Sequence, residues 1–145
     1  MLNEQKSELR AEIEDAFSKA GIDDYIVVNA TAIIKKIKKN YVSGNPRAWW
    51  LSLKNKIDTL HYEDNSGYKY IAEIVENEFS QAHTSYVFFL ADEDNEQMYL
   101  YKAPLSALVF VIEQCRYFEY YVVSEELSWL VCENDHGEII VCSSN

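Results

Sequence analysis

Residues 86–90 read Tyr-Val-Phe-Phe-Leu, and this apolar run decides how the sequence folds. A strand made of these residues is hydrophobic on both faces, as is typical of a strand that is covered on both sides of a sheet. The charged segment 92–97 follows as a loop, and residues 98–101, Met-Tyr-Leu-Tyr, have the pattern of a return strand. The sequence therefore predicts a β-hairpin that begins a buried sheet.

Three further strands are predicted toward the C-terminus, at residues 117–123, 129–133 and 138–142. A helix over 104–114, opened by a proline, precedes them. The last two strands are joined by residues 134–137, Asn-Asp-His-Gly, with Asn at the first position of a type I turn and Gly at the fourth. That glycine can adopt the left-handed conformation that a three-residue hairpin loop requires. The C-terminal part is therefore expected to be an antiparallel sheet ending in a hairpin.

The N-terminal half has helical periodicity instead. Helices are predicted over about 4–20, 29–41, 46–60 and 68–79, where apolar residues recur every three or four positions. In the third of these, Trp49, Trp50, Leu53, Ile57 and Leu60 share one face, and the tryptophan pair suits either a core anchor or a ligand platform. Residues 25–28 fit a short strand or the entry to the second helix. The predicted fold class is α+β, with N-terminal helices packed on the C-terminal sheet.

Composition restricts the class of protein further. The chain of 145 residues is 48% hydrophobic and 14% aromatic, with four Gly and two Pro, which excludes disordered and collagen-like chains. One acidic domain over residues 1–145 is expected from this length. No apolar run approaches the roughly 20 residues of a membrane helix, and the first residues are too polar for a signal peptide. We therefore expect a cytoplasmic protein with no membrane contact.

The charge is large and unevenly distributed. The formal net charge is −11; residues 1–60 carry ten Lys or Arg and eight Asp or Glu, whereas residues 61–145 carry three and sixteen. A surface this acidic disfavours direct nucleic-acid binding and can steer a basic protein partner, although it also serves solubility. The basic cluster at Lys35, Lys36, Lys38 and Lys39 fits either an anionic docking surface or a solvated helix face.

Few residues have the spacing of a catalytic or metal site. Cys115, Cys132 and Cys142 lack the spacing of a zinc site or a disulfide framework, so buried, reduced thiols are expected. The segment 92–96 is rich in carboxylates but does not match a calcium-binding loop, leaving at most a weak cation site. Residues 132 to 136, Cys-Glu-Asn-Asp-His, are the one cluster that could serve a nucleophile or a metal, although alternating strand side chains diverge. We therefore predict no cofactor, no metal and no enzymatic activity.

The stretch from Tyr120 to His136 resembles the C-terminal signature of a family of small bacterial proteins. In that family a Tyr-rich strand leads into Trp-Leu and then into a Cys-Glu-Asn-His-His-like turn; Asp135 stands here where the family tends to have His. The order of helices, strand pair, helix and final hairpin is also similar to that of SUKH-type immunity proteins. The resemblance implies a bacterial cytosolic protein that neutralises a toxin domain by binding it.

Three hypotheses about function follow. The first is a non-enzymatic protein-binding module, such as an immunity-type inhibitor of a basic toxin. The second is an enzyme or metal-binding protein that uses the cluster from Cys132 to His136. The third is a structural module in which Tyr-rich strands pair as a homodimer. For the first, acidic side chains and exposed tyrosines would contact the partner. The candidate contacts are Asp92, Glu93, Asp94, Glu96, Tyr99, Tyr101, Glu125, Glu126, Asp135 and Glu138.

Overall fold

A computed structural model describes residues 7–94 and 97–144, with the backbone alone for Asp94 and Gln97. The helices and strands in this part are α1 (Glu8–Lys19), α2 (Ala30–Tyr41), β1 (Lys56–His61), α3 (Ile71–Phe79), β2 (Tyr86–Asp94), β3 (Gln97–Pro104), α4 (Leu108–Glu113), β4 (Glu119–Ser124), β5 (Trp129–Glu133) and β6 (Glu138–Ser143). Short 3₁₀ helices lie at Trp49–Ser52, Glu63–Asn65, Gly67–Tyr70 and Leu105–Ala107. The predicted α+β class is confirmed.

The six strands form one antiparallel sheet in the order β1-β6-β5-β4-β2-β3. The predicted hairpins β2–β3 and β5–β6 are both present, and β4 joins them. Because β4 has β2 on one side and β5 on the other, it has no free edge. The sequence analysis left open a homodimer formed by pairing of Tyr-rich strands. The strand that carries Tyr120 and Tyr121 cannot form such a pair, so a dimer of this kind would have to use a different strand.

Both faces of the sheet are covered, which explains why residues 86–90 are apolar throughout. Val87 and Phe89 point to a core shared with α1, α3 and α4, which we call the α1 face. Phe88 and Leu90 point to a second core under α2 and Trp49, which we call the α2 face. Alternate residues of one strand thus bury against different helices.

The prediction of a helix over 46–60 is wrong beyond the first helical turn. Trp49–Ser52 is a 3₁₀ helix, Leu53 forms a bridge with Val42, and β1 then pairs with β6. Asn55 between them has φ of 63°, a left-handed conformation that ends the helical path. The spacing of Leu53, Ile57 and Leu60 fitted a helix, but the pairing of β1 with β6, about 80 residues later, decided the outcome.

The other elements match their predictions with small shifts. α1 begins at Glu8, and residues 4–6 of the predicted helix lie outside the described residues. Residues 25–28 form neither a full strand nor a helix: Ile26 makes a single bridge to Tyr101 at the outer edge of β3. Within the described part of the chain, no helix is both long and apolar enough to cross a bilayer.

Candidate functional site

A cleft opens at the end of the sheet where β2 and β5 end and β4 begins. The antiparallel register places Asp92 opposite Glu119, and Tyr120 opposite Glu133, so residues far apart in the chain meet there. The cavity has a volume of about 470 Å³. We call it the sheet-end cleft, and its walls are Leu9, Arg47, Ala48, Trp50, Asp92, Glu93, Arg116, Tyr117, Phe118, Glu119, Asp135 and His136.

One wall of the cleft is the β5–β6 turn, which the buried Asn134 organises. Its Oδ1 accepts hydrogen bonds from the backbone N–H groups of His136, at 3.0 Å, and Glu138, at 3.1 Å. Its Nδ2 donates to the Glu138 carboxylate at 2.8 Å. Gly137 has φ of 74°, as the predicted turn requires. The turn prediction is confirmed, and the turn directs Asp135 and His136 to the cleft.

Glu119, a half-buried carboxylate in the cleft, has an unusual electrostatic environment. Burial raises its pKa, and the nearby Asp135 carboxylate raises it further. The Trp50 indole, the backbone N–H of Asp135 at 3.1 Å and the Arg47 charge all lower it, without offsetting the burial. The site therefore holds a carboxylate that is only partly compensated and that a cation could stabilise.

Aromatic side chains supply the apolar surface of the cleft. The Trp50 ring meets the His136 imidazole edge-on at 5.3 Å, and the Trp50 backbone N–H donates to the Tyr121 hydroxyl at 3.1 Å. Tyr117 is 50% exposed. Trp49, by contrast, is buried on the α2 face and contacts the Tyr121 ring. The two tryptophans thus differ in role: Trp49 is the core anchor that one interpretation predicted, and Trp50 lines a cavity, as a ligand platform would.

Glu133 lies beside the cleft and ties the sheet to the segment before α3. Its Oε1 accepts a hydrogen bond from the Tyr120 hydroxyl at 2.8 Å, and its Oε2 accepts one from the Gly67 N–H at 3.0 Å. Burial raises its pKa, and these hydrogen bonds lower it partway. Glu133 also lines a second cavity, of about 260 Å³, which shares Arg116, Tyr117 and Phe118 with the cleft.

The structure gathers four of the predicted contact residues at this end of the sheet. Asp92, Glu93 and Asp135 line the cleft, and Glu138 begins β6 beside it, 3.3 Å from the His61 imidazole. Asp135 is exposed as expected. Asp92, however, is only 8% exposed, because β2 extends to Asp94 and draws it into the sheet. Its prediction as an outward contact is therefore wrong, and it contributes charge from within the wall.

The two predicted tyrosine anchors do not behave alike. Tyr101 is 3% exposed and its hydroxyl donates to the buried Glu14 carboxylate at 3.2 Å, so the expectation that it is an exposed anchor is wrong. The reason is that Tyr101 occupies the side of β3 that packs under α1. Tyr99 is half-buried and donates to Glu93 at 2.6 Å, with the Arg10 guanidinium over its ring.

The remaining predicted contacts are elsewhere. Glu125 and Glu126 are exposed in the β4–β5 turn, at the opposite end of the sheet from the cleft. For Asp94 only the backbone is described, and Glu96 lies outside the described residues. The predicted contact set therefore splits into two groups that no single small interface would cover.

The cluster from Cys132 to His136 does not form a nucleophile–base pair. Cys132 is 1% exposed on the α2 face, and burial raises the pKa of its thiol well above the usual range. His136 is exposed in the turn beside Trp50. A nucleophilic cysteine needs the thiolate, which this environment disfavours. Among residues 7–94 and 97–144, no group of three His, Cys, Asp or Glu side chains converges as a metal site requires.

Sequence reasoning missed Arg47, Arg116, Tyr117 and Glu119 as residues of the cleft. Glu119 had a detectable signal, since it is a carboxylate between aromatic residues at the start of a predicted apolar strand. Arg47 and Tyr117 had none, because loop residues come together only through the fold. The lysines of α2 lie away from this cleft; Lys35, Lys36 and Lys39 are exposed, and Lys38 donates to Asn45 at 2.9 Å.

The Glu119→Gln substitution is expected to increase the free energy of unfolding at pH 7. Because the pKa of Glu119 is higher in the native state than its value of 4.5 in the unfolded state, the native state binds more protons between these two pKa values. Stability therefore falls as the pH rises from the unfolded to the folded pKa. Glutamine does not ionise, so the variant does not lose this stability. Its higher free energy of unfolding relative to the wild type should therefore disappear near pH 3.5, where Glu119 is protonated in both states of the wild type. Urea unfolding at both pH values measures it. Glu125→Gln, at an exposed site, is the control, and an equal gain for both variants would contradict the explanation.

Comparison with known proteins adds one finding. No curated protein and no solved structure matches the chain. One family model, described as a family of unknown function, matches residues 5–145, which is nearly the whole chain and includes every residue of the sheet-end cleft. By this match, the protein belongs to the DUF6756 family.

Proposed function

We propose that this protein binds a basic protein partner through the sheet-end cleft and has no catalytic role. One observation carries the proposal: Asp92, Glu93, Glu119 and Asp135 surround a single cavity in the half of the chain that bears most of the negative charge. Charged walls around a low-dielectric cleft focus the electrostatic field and raise the rate at which an oppositely charged partner associates.

The aromatic residues give such a contact its short-range strength. Trp50 and the 50% exposed Tyr117 lie in the cavity beside the carboxylates. Interfaces commonly concentrate their binding free energy in a few tryptophan, tyrosine and arginine residues surrounded by polar groups. In this proposal the carboxylates speed association and orient the partner, whereas the aromatic rings slow its dissociation.

In the cell, we infer that the partner is a toxin and that this protein is its immunity-type inhibitor in the bacterial cytoplasm. The support is the resemblance of the stretch from Tyr120 to His136, and of the order of elements, to small bacterial proteins and SUKH-type immunity proteins. Inhibition of this kind needs only occlusion of the toxin's surface, which agrees with a cleft that lacks a thiolate nucleophile.

The proposal can be tested with the product of the gene adjacent to that of this protein, since immunity genes sit beside the genes of their toxins. Expressed alone, that product is expected to arrest growth, and co-expression of this protein is expected to restore it. With purified proteins, the association rate constant should fall at least tenfold between 50 and 500 mM salt, because steering is screened.

Matched variants locate the contact surface. The double variant Glu119→Gln, Asp135→Asn should weaken binding by about tenfold or more, because two charges leave the cleft. Glu125→Gln, Glu126→Gln removes the same charge at the opposite end of the sheet and should change affinity by less than about twofold. Absence of a complex with a growth-arresting neighbour, or equal loss for both double variants, would refute the proposal.

A further inference from the structure

The cavity between Trp50 and Tyr117 has a more specific chemistry than negative charge alone. We propose that it receives an arginine side chain of the partner beside Glu119, with the protein's own, more distant Arg47 as a weak competitor; this inference rests on the proposed function. A guanidinium is planar, always charged and weakly hydrated, so it can lie against an aromatic ring and pair with a carboxylate at the same time.

The carboxylate of Glu119 is suited to such a ligand. It is half-buried, its pKa is raised, and it accepts a hydrogen bond from the backbone N–H of Asp135 at 3.1 Å. Hydrogen bonds between ions strengthen where water is excluded, so a guanidinium gains more here than at an exposed carboxylate. The buried Asp92 and the exposed Asp135 line the same cavity and add negative charge to it.

Two arginines and one histidine already line the cavity, and Arg116 and His136 are held by other contacts. Arg116 donates to Glu8 and Glu12 of α1 at 2.8 Å each, and its backbone N–H donates to Glu12 at 2.9 Å. His136 rests its imidazole against the Trp50 ring. Neither Arg116 nor His136 is among the groups that lower the pKa of Glu119.

Arg47 is the other arginine of the cavity, and its charge lowers the pKa of Glu119. It is exposed, it follows Pro46 in a loop, and among the described residues it makes no ion pair within 4.0 Å with a carboxylate. Its interaction with Glu119 is therefore long-range and easily displaced. An incoming arginine would approach Glu119 more closely and would be repelled by Arg47 as it did so.

Arginine is favoured over lysine for physical reasons. A lysine ammonium is a compact, strongly hydrated charge, and it loses more hydration on entering a partly closed cavity beside an aromatic ring. A surface that attracted only positive charge would bind both residues alike. Discrimination between them therefore separates a shaped site from general electrostatic attraction.

The experiment compares two peptides of equal charge, hexa-arginine and hexa-lysine, titrated into the full chain at 50 mM salt. Isothermal titration calorimetry gives the affinities, and tryptophan fluorescence reports the environment of Trp50, with Trp50→Phe identifying its share of the signal. Hexa-arginine is expected to bind at least about fivefold more tightly than hexa-lysine. Circular dichroism and the thermal midpoint verify that each variant is folded.

Three substitutions then test the position of the arginine. Glu119→Gln should weaken hexa-arginine binding about tenfold, whereas Arg47→Ala should strengthen it two- to fivefold by removing the competitor. Glu78→Gln, an exposed carboxylate of α3 away from the cleft, should change affinity by less than about 1.5-fold. General attraction would also weaken binding in Glu119→Gln and strengthen it in Arg47→Ala, but it would make the losses in Glu119→Gln and Glu78→Gln equal. The larger loss at Glu119 is therefore the result that distinguishes a shaped site from general attraction.

The outcomes separate the two levels of the argument. Equal affinity for both peptides, with loss in Glu119→Gln, overturns the arginine site but leaves a cleft that binds basic partners. Weaker binding of hexa-arginine by Arg47→Ala also overturns the arginine site. Binding of neither peptide, or an equal loss in Glu119→Gln and Glu78→Gln, overturns both the inference and the proposed function.

Discussion

Replacing Gly137 with alanine is expected to lower the free energy of unfolding by about 3 kcal/mol. Gly137 has φ of 74°, and a Cβ atom there would lie 2.5 Å from the backbone oxygen of Tyr62. The clash is with backbone rather than with a flexible side chain, so relief requires the β5–β6 turn to move away from Tyr62. That movement also weakens the hydrogen bond from the Tyr62 N–H to the Gly137 oxygen, at 2.8 Å.

Urea unfolding of the Gly137→Ala variant measures this loss, and Gly21→Ala is its control. Gly21 has a similar φ of 79° but nothing within 4 Å of an added Cβ, so its substitution carries the backbone strain alone, about 1 kcal/mol. The difference between the two variants isolates the contact with Tyr62. Equal losses would contradict the proposed clash.

Removing the Glu133 carboxylate should have a comparable effect. In Glu133→Ala, the Tyr120 hydroxyl and the Gly67 N–H both lose their acceptor in a buried region. Each unsatisfied buried donor costs about 1–3 kcal/mol, partly offset because a desolvated charge is also removed. We expect the free energy of unfolding to fall by about 3 kcal/mol.

Two controls test this explanation. Glu133→Gln keeps the shape and one acceptor oxygen, so its loss should be about half as large. Tyr120→Phe removes one donor together with its demand for an acceptor, and it should cost only about 1 kcal/mol. A loss in Glu133→Ala no larger than in Tyr120→Phe would indicate that water replaces the missing carboxylate.

Gly67→Ala should also lower the free energy of unfolding, because its Cβ would lie 2.6 Å from Ile139 Cγ1.

Some elements were predictable because their causes are local in sequence. The run at 86–90 contains the evidence for its burial on both faces, and the Asn-Asp-His-Gly turn contains the residues that its backbone angles require. The helix that ends near Lys19 was predictable from its apolar period. In each of these the deciding interactions lie within a few residues of one another.

Residues 46–60 were different. Their apolar spacing satisfied a helix, and nothing local contradicted it except Asn55, whose left-handed conformation only the structure reveals. The strand exists because β6 offers an unpaired edge to residues 56–61. Long-range pairing of this kind overrides local periodicity, as strand preferences depend strongly on context.

The same distinction applies to the cleft and its charge. The excess of carboxylates after residue 60, the absence of familiar catalytic spacings and the two-sided burial of the sheet all follow from the order of residue types. Which carboxylates meet was decided by strand register, since Asp92 and Glu119 are neighbours only because β2 and β4 pair antiparallel. Register likewise placed Glu125 and Glu126 at the end of the sheet opposite the cleft. Whether a side chain is exposed depends on the layer of helices or loops that covers it. The amino-acid order thus determined how much charge this protein carries, and the packing of its elements decided where that charge can act.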